Sequence, residues 1–90
     1  MKQDAKKKVL RRLSLIKGQI NGLVKMVEAE RYCVDIITQS SAIKEALAGV
    51  EDVMLENHLT THVIHQIKSG KGQRATSEIL KIYKLAQKKK

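Results

Sequence analysis

The chain carries its one thiol and its three imidazoles in a single stretch of sequence. Cys33, His58, His62 and His65 are its only cysteine and histidines. One thiolate and two imidazoles suit three-coordinate copper(I), or zinc, cobalt or nickel if a fourth ligand or water joins. The i, i+4 spacing of His58 and His62 places both imidazoles on one helix face, and His65 at i+7 is expected there too. Such a pair also arises by chance, and a lone cysteine is more often a small buried residue than a ligand.

A long helix is expected to position these four residues. Residues 32–68 contain no proline. Their pattern advances in alternating steps of four and three, typical of a helix packed against other helices, at Ile36, Ser40, Ile43, Leu47, Val50 and Met54. At 1.5 Å per residue, the roughly 25 positions between Cys33 and His58 span about 37 Å. One copy of the chain therefore cannot bring its thiolate to its own imidazoles.

Two copies of this helix could complete the site by packing antiparallel. Cys33 of one chain would then lie beside His58 and His62 of the other, and each dimer would hold two identical three-ligand sites. The helices would cross near residues 46–49, where the sequence Ala-Leu-Ala-Gly would let two backbones approach closely. Alternatively, Gly49 is only a weak point in a solvent-exposed turn.

The rest of the sequence predicts one further helix on each side, and thus an all-α fold in a single domain of residues 1–90. A first helix over residues 4–28 is expected to be capped by Asp4. Residues 30–31 form a connection, and residues 69–72 end the long helix, with glycine in the left-handed capping role. The first helix has a heptad seam formed by Val9, Leu13, Ile16, Ile20, Leu23 and Val27. A third helix is expected over residues 74–87, with an inner face formed by Ile79, Ile82, Tyr83 and Ala86.

The charge, the apolar content and the cysteine count limit the kinds of partner and cellular location expected for this chain. The 90 residues include 18 Lys+Arg against 9 Asp+Glu, a net charge of +9, which attracts polyanions. Nucleic acid is a better candidate partner than a membrane, although a solubilising surface would give the same count. There is no run of about 18 apolar residues, the first residues lack the apolar stretch typical of a signal peptide, and a single cysteine excludes an intrachain disulfide. We expect a soluble cytoplasmic protein with a frayed lysine tail at residues 88–90.

Short motifs spread over most of the chain resemble those of the copper-sensing operon repressor family (CsoR/RcnR type). The motifs are Arg12-Leu13 with Lys17-Gly18-Gln19, Tyr32-Cys33-Val34-Asp35, Asn57-His58-Leu59-Thr60-Thr61-His62, and Gly72-Gln73 with Glu78. This resemblance implies a three-helix protomer, an antiparallel four-helix-bundle dimer and a dimer-of-dimers tetramer. It also implies a repressor that binds operator DNA without a helix-turn-helix and is released when metal binds.

The resemblance further implies a role for each residue of the metal site. Cys33 matches the thiolate ligand, and His58 matches the imidazole ligand that the partner subunit contributes. His62 stands where many copper sensors have a second cysteine, which gives a Cys-His-His set. Tyr32 and Glu78 match positions that support the ligands without binding the metal. Glu78 is expected to accept a hydrogen bond from the outer nitrogen of a liganding histidine. From its spacing, His65 is a candidate for a fourth ligand, although an exposed or supporting histidine is the favoured interpretation.

Copper(I) is the metal that this ligand set favours. The nickel/cobalt branch of the family adds a histidine near the N-terminus, where this chain has Lys2, Gln3 and Asp4. Six-coordinate nickel or cobalt would therefore be short of donors, although nickel, cobalt and zinc stay as alternatives. The formaldehyde-sensing and persulfide-sensing branches are disfavoured, because they need an N-terminal proline or a second cysteine and the chain has neither.

The first helix is the predicted DNA-binding element. Arg12 and Lys17 would contact phosphates and Gln19 could reach a base edge, while the lack of an aromatic platform favours duplex over single strands. Arg11 and Lys44 are further candidates. Other family members carry additional basic residues along the second helix, where this chain has glycine at position 49. A metal buffer and a basic DNA-coating protein are the alternatives, and an enzyme is not expected.

Overall fold

A computed structural model describes residues 1–88, and every regular element in that part of the chain is helical. The elements are α1 (Gln3–Glu28), α2 (Cys33–His58), a π-helical segment (Leu59–Val63), α3 (Ile64–Lys68) and α4 (Gly72–Lys88). The predicted all-α fold is confirmed. Lys89 and Lys90, in the tail expected to fray, lie outside the described residues. None of the described helices combines the length and apolar character needed to cross a membrane.

The chain divides into two compact units, and the first, Met1–Glu56, has its core between α1 and α2. The buried residues of this core are Val9 and Ile16 of α1 with Ile43 and Val50 of α2; Leu23, Ala46 and Val53 pack against them. Each buried pair is spaced by seven residues, so each helix presents one side to the other. The other half of the predicted seam, Leu13, Ile20 and Val27, is 39, 44 and 55% exposed. A single copy therefore leaves part of the apolar face of α1 open.

The ends of α1 differ from the prediction in one respect. The residue that precedes the helix is Lys2, and no side chain caps this end, so the expectation that Asp4 caps the helix is wrong. Asp4 instead lies within the first turn, where its negative charge still favours the helix dipole. At the other end, Arg31 N–H donates to the Met26 carbonyl at 3.0 Å, and Glu30 is left-handed with φ of 52°. These features form a Schellman-type stop with glutamate in the position that glycine usually occupies.

The predicted long central helix over residues 32–68 is confirmed by α2, the π-helical segment and α3, which follow one another directly, although one segment is not α-helical. Leu59–Val63 is π-helical, with α-helix on both sides. The hydroxyls of Thr60 and Thr61 both donate to the carbonyl of Asn57, at 3.3 and 2.5 Å. A π-turn bonds i to i+5 instead of i+4, and threonine hydroxyls can satisfy a carbonyl that the regular ladder has released. Two adjacent threonines therefore stabilise the wider turn.

The second unit starts at Asn57 and includes α3 and α4. Its buried residues are Asn57, Val63 and Ala75, and Ala75 is only 2% exposed. Gly70 has φ of +82° and follows the end of α3, so the predicted left-handed glycine is confirmed. The expected inner face of the last helix is wrong for this chain taken singly: Ile79 and Ile82 are each 37% exposed and Tyr83 and Ala86 are exposed. The helix packs instead through the small side chain of Ala75.

Candidate metal centre

His58 and His62 form a pair of adjacent rings. His58 is the last residue of α2, and His62 lies in the π-helical segment. Their ring centroids are 5.4 Å apart and the ring planes are tilted by 31°. The side chain of His58 is 25% exposed, whereas His62 is exposed. The four-residue spacing thus brings two imidazoles side by side, as predicted, with one shielded by protein and one open to solvent.

The π-helical segment also bears on His65. A π-turn contains one residue more than an α-turn, and one residue corresponds to about 100° of rotation around an α-helix. Residues after the segment are therefore rotated away from where a regular helix would have placed them. His65 lies after it, in α3, and its side chain is exposed. The reason for expecting His65 on the same face as His58 and His62 is thereby removed.

Glu78 of α4 lies directly against the His58 ring. His58 Nε2 is 3.2 Å from Glu78 Oε2. The nitrogen is buried and the oxygen lies outside hydrogen-bonding geometry, so this is a close polar contact and Nε2 has no formed hydrogen bond. A carboxylate beside Nε2 favours the tautomer with its proton on that atom, and the lone pair is then on Nδ1. In that tautomer Nδ1 is the atom of His58 that could bind a metal.

Two further side chains hold Glu78 in place. Arg74, one turn earlier in α4, donates from Nε to Glu78 Oε1 at 3.1 Å, and Gln66 of α3 donates to Oε2 at 3.5 Å. The hydrogen bond from Arg74 is the main reason that the pKa of Glu78 lies below its ordinary value. Burial opposes this as the second largest effect, and the hydrogen bond from Gln66, the charge of Arg74 and the nearby His58 each lower the pKa further. Glu78 is therefore a charged carboxylate beside the histidine at neutral pH.

Cys33 stands at the opposite end of α2 from His58. It is the first residue of the helix and its side chain is exposed. Tyr32 precedes the helix, is 71% exposed, and accepts the backbone N–H of Asp35 with its carbonyl. Within residues 1–88 of a single chain, no three His, Cys, Asp or Glu side chains are grouped so that they could hold a metal. The three predicted ligands thus lie at two places in the chain, one sulfur at one and two nitrogens at the other.

This donor set fits a soft metal ion. A thiolate selects copper(I) or zinc over hard cations, and imidazole accompanies it in sites for both metals. His58 adds a structural indication, because its buried Nε2 is paired with a carboxylate in the arrangement that commonly orients a metal-binding histidine. Cys33, His58 and His62 are therefore suited to bind copper(I) or zinc once sulfur and nitrogen ligands are brought together.

The predicted DNA-binding residues lie on α1 and α2. Arg11, Lys17, Gln19 and Lys44 are exposed. Arg12 differs, because it is half-buried and its Nη1 donates to the backbone carbonyl of Gly49 at 3.0 Å. The expectation that Gly49 serves a close helix crossing between two copies is untested, but within one chain the glycine already admits a side chain from α1.

Sequence reasoning missed several residues around the histidines. Arg74 and Gln66, which hold Glu78, were not predicted, although the i, i+4 spacing of Arg74 and Glu78 in a helix was a usable signal. Asn57, the buried polar residue beside His58, and the threonines that bond to its carbonyl were part of a motif but had been given no role. The adjacent threonines were the signal there, because threonine hydroxyls compete for carbonyls within helices.

Comparisons with known proteins agree with this arrangement. The family model for metal-sensitive transcriptional repressors matches residues 5–85. The copper-sensing transcriptional repressor CsoR of Bacillus subtilis (strain 168) is 44% identical over 79 residues, covering 88% of this chain and 78% of that protein. The CsoR proteins of Mycobacterium ulcerans (strain Agy99) and Mycobacterium tuberculosis (strain F11) are 38 and 39% identical over 86 and 83% of this chain. The chain spans only 66 and 63% of those two longer relatives.

A solved structure is similar over almost the whole chain. The crystal structure of the copper-sensing repressor CsoR with Cu(I) from Geobacillus thermodenitrificans NG80-2 aligns with a TM-score of 0.88 at 36% identity, covering 97% of this chain and 91% of that one. Fold and site together define a helical metal-sensing regulator. The chain belongs to the family of metal-sensitive transcriptional repressors, and the resemblance drawn from its motifs is confirmed.

Proposed function

We propose that this chain is a copper(I)-responsive transcriptional repressor, which binds operator DNA when metal-free and releases it when copper(I) binds between two subunits. The observation that carries the proposal is the adjacent pair of His58 and His62 with the Glu78 carboxylate against His58 Nε2. The copper-sensing repressors among its relatives support copper(I) over zinc, nickel and cobalt. The proposed activity is regulatory, and no catalytic step is assigned to any residue.

The ligands proposed are Cys33 from one subunit with His58 and His62 from its partner. Copper(I), when bound, would supply coordinate bonds that join the two subunits. His58 would present Nδ1 while Glu78 holds its Nε2 proton, and the exposed His62 is free to approach the same ion. Tyr32 is proposed to support these ligands without binding the metal, whereas His65, exposed and beyond the π-helical segment, is proposed to take no part in the site.

Open apolar faces support the proposed assembly. On α1, Leu13 and Ile20 are 39 and 44% exposed, and on α2, Leu47 and Met54 are 39 and 37% exposed. These residues belong to the predicted four-three pattern, so a second copy could cover them in an antiparallel four-helix bundle. We propose a dimer of this type, its pairing into a tetramer, and a single functional domain over residues 1–90. A DNA-binding regulator of this kind is proposed to act in the cytoplasm.

The proposed DNA surface is centred on α1. Arg12 and Gln19 are seven positions apart and share one face of the helix, whereas Lys17 is about 140° around the axis from Arg12. Arg12 is proposed to bind a phosphate beside the base edge that Gln19 reaches, and Lys17 a phosphate to one side. Arg11 and Lys44, both exposed, are proposed as additional phosphate contacts.

Metal and DNA are proposed to oppose each other through α4. Glu78 lies on this helix and contacts His58, while Arg74 and Gln66 restrain the same carboxylate. A change in the position of His58 would therefore be passed to α4 through charged and hydrogen-bonded groups. If the metal binds the DNA-free conformation more tightly, metal binding must weaken DNA binding by the same free energy. The affinity for DNA then typically falls 5- to 150-fold.

The proposal is tested by titrating metal against a protein–DNA complex. A fluorescein-labelled duplex from the region upstream of the chain's own coding sequence is bound by metal-free protein without oxygen, and its anisotropy is followed as buffered copper(I) is added. We expect the Kd for the duplex to rise about tenfold or more by one copper(I) per subunit. Zinc(II), nickel(II) and cobalt(II) are titrated in parallel, and release by one of these alone would assign another metal.

Matched variants identify the ligands. Cys33→Ser and His58→Ala should bind the duplex normally but keep it when copper(I) is added. His65→Ala is the control, since it removes an exposed imidazole seven positions from His58, and it should respond as the unchanged protein does. Copper(I) that saturates the protein without any change in duplex affinity would refute the proposal.

A further inference from the structure

Arg12 of α1 is hydrogen-bonded to α2, although the two residues involved are far apart in sequence. Its Nη1 donates to the main-chain carbonyl of Gly49 at 3.0 Å, across 37 positions. Arg12 is half-buried, while Arg11 and Lys17 of the same helix are exposed. A carbonyl inside a helix has a second lone pair beyond the one used by the helix, so it can accept this bond without disrupting α2.

Gly49 leaves the space that the guanidinium needs. A Cβ at this position would lie 3.4 Å from Arg12 Nη1, and a longer side chain would occupy the place of the guanidinium. Gly18 and Gly22, the glycines of α1, have nothing within 4 Å of such a Cβ. Glycine inside a helix costs about 1 kcal/mol relative to alanine. At position 49, unlike positions 18 and 22, the structure shows what the missing side chain makes room for.

We propose that Gly49 positions Arg12 for a DNA phosphate, an inference that rests on the proposed function. The guanidinium has five N–H donors in a rigid fork, so the bond from Nη1 leaves donors for a phosphate. A mobile arginine loses rotamer freedom when it binds, and one already held by Gly49 loses less. Gly49 thus contributes to DNA affinity through Arg12.

The test is a double-mutant cycle on duplex affinity in metal-free protein. Gly49→Leu displaces the guanidinium and should weaken binding of the upstream duplex about three- to tenfold for each Arg12 engaged. Arg12→Ala should weaken it at least as much and should lower the salt dependence by about one counterion for each lost contact. In the Arg12→Ala background, Gly49→Leu should change affinity by less than about twofold, because the residue through which it acts is gone. Gly22→Leu is the matched control, expected to bind as the unchanged protein.

A second substitution keeps the inference testable if Gly49→Leu does not fold. Arg12→Lys retains the charge but not the fork, so it should lose most of the affinity that Arg12→Ala loses. The inference is overturned if Arg12→Lys binds like the unchanged protein, if Gly49→Leu binds equally or more tightly, or if the two substitutions act additively. In each case copper(I)-dependent release by the unchanged protein would still stand, so failure here is distinct from failure of the proposed function.

Discussion

Removing the carboxylate behind His58 should weaken metal binding without abolishing it. Glu78→Ala leaves the buried Nε2 of His58 without the oxygen that lies 3.2 Å away. Loss of such a partner typically lowers metal affinity 10- to 100-fold. Glu78 is 34% exposed and also bonded to Arg74, so water can partly replace it. We therefore expect a loss near the lower limit, about tenfold. Glu78→Gln keeps an acceptor oxygen but no charge, so its copper(I) affinity should lie between those of the unchanged protein and Glu78→Ala.

The affinity is measured by competition with a coloured copper(I) chelator of known affinity, without oxygen, and the duplex anisotropy assay is repeated on each variant. Because Glu78 joins His58 to α4, the ratio of duplex affinities with and without copper(I) should also shrink. Glu45→Ala is the control, since it removes an exposed carboxylate elsewhere on α2. If Glu78→Ala binds copper(I) as tightly as the unchanged protein and releases DNA to the same extent, the role given to this contact is wrong.

Three more predictions follow from the same structure. A heterodimer of one Cys33→Ser subunit and one His58→Ala subunit, purified with two different tags, should bind one copper(I), because only one of the heterodimer's two shared sites keeps both residues. Neither parent homodimer should bind copper(I). Zero or two ions per heterodimer would contradict an antiparallel shared site. Glu30→Gly should raise the free energy of unfolding by about 0.5–1 kcal/mol in urea titrations, since a left-handed φ of 52° is strained for glutamate; no gain would argue against strain at this turn. Ala75→Leu should lower it by about 1–3 kcal/mol, because enlarging a residue that is only 2% exposed forces its packed neighbours to move. The exposed Ala86→Leu is its control, and equal stability of the two variants would refute the packing.

The helices and their stops were predictable because their causes are local. The four-three pattern of apolar residues indicated α1 and α2 to within one residue at most ends, since residues of one helical face must recur at that spacing. Gly70 indicated the end of α3, because glycine takes a left-handed φ at little cost. The i, i+4 spacing of His58 and His62 was enough to bring their rings together. Motifs spread over the chain were enough to indicate the family.

Other features depend on contacts between residues that are distant in sequence, and only the tertiary structure decided them. Glu78 contacts His58 because α4 packs beside this histidine. The hydrogen bond from Arg12 to the Gly49 carbonyl joins residues 37 positions apart. The π-turn before α3 arises where side-chain and main-chain donors compete for the same carbonyls, which periodicity does not detect. Sequence alone therefore determined which residues form helices and which could bind a metal. The packing determined which nitrogen of His58 faces a carboxylate and which arginine is hydrogen-bonded to α2, because both depend on neighbours that only folding supplies.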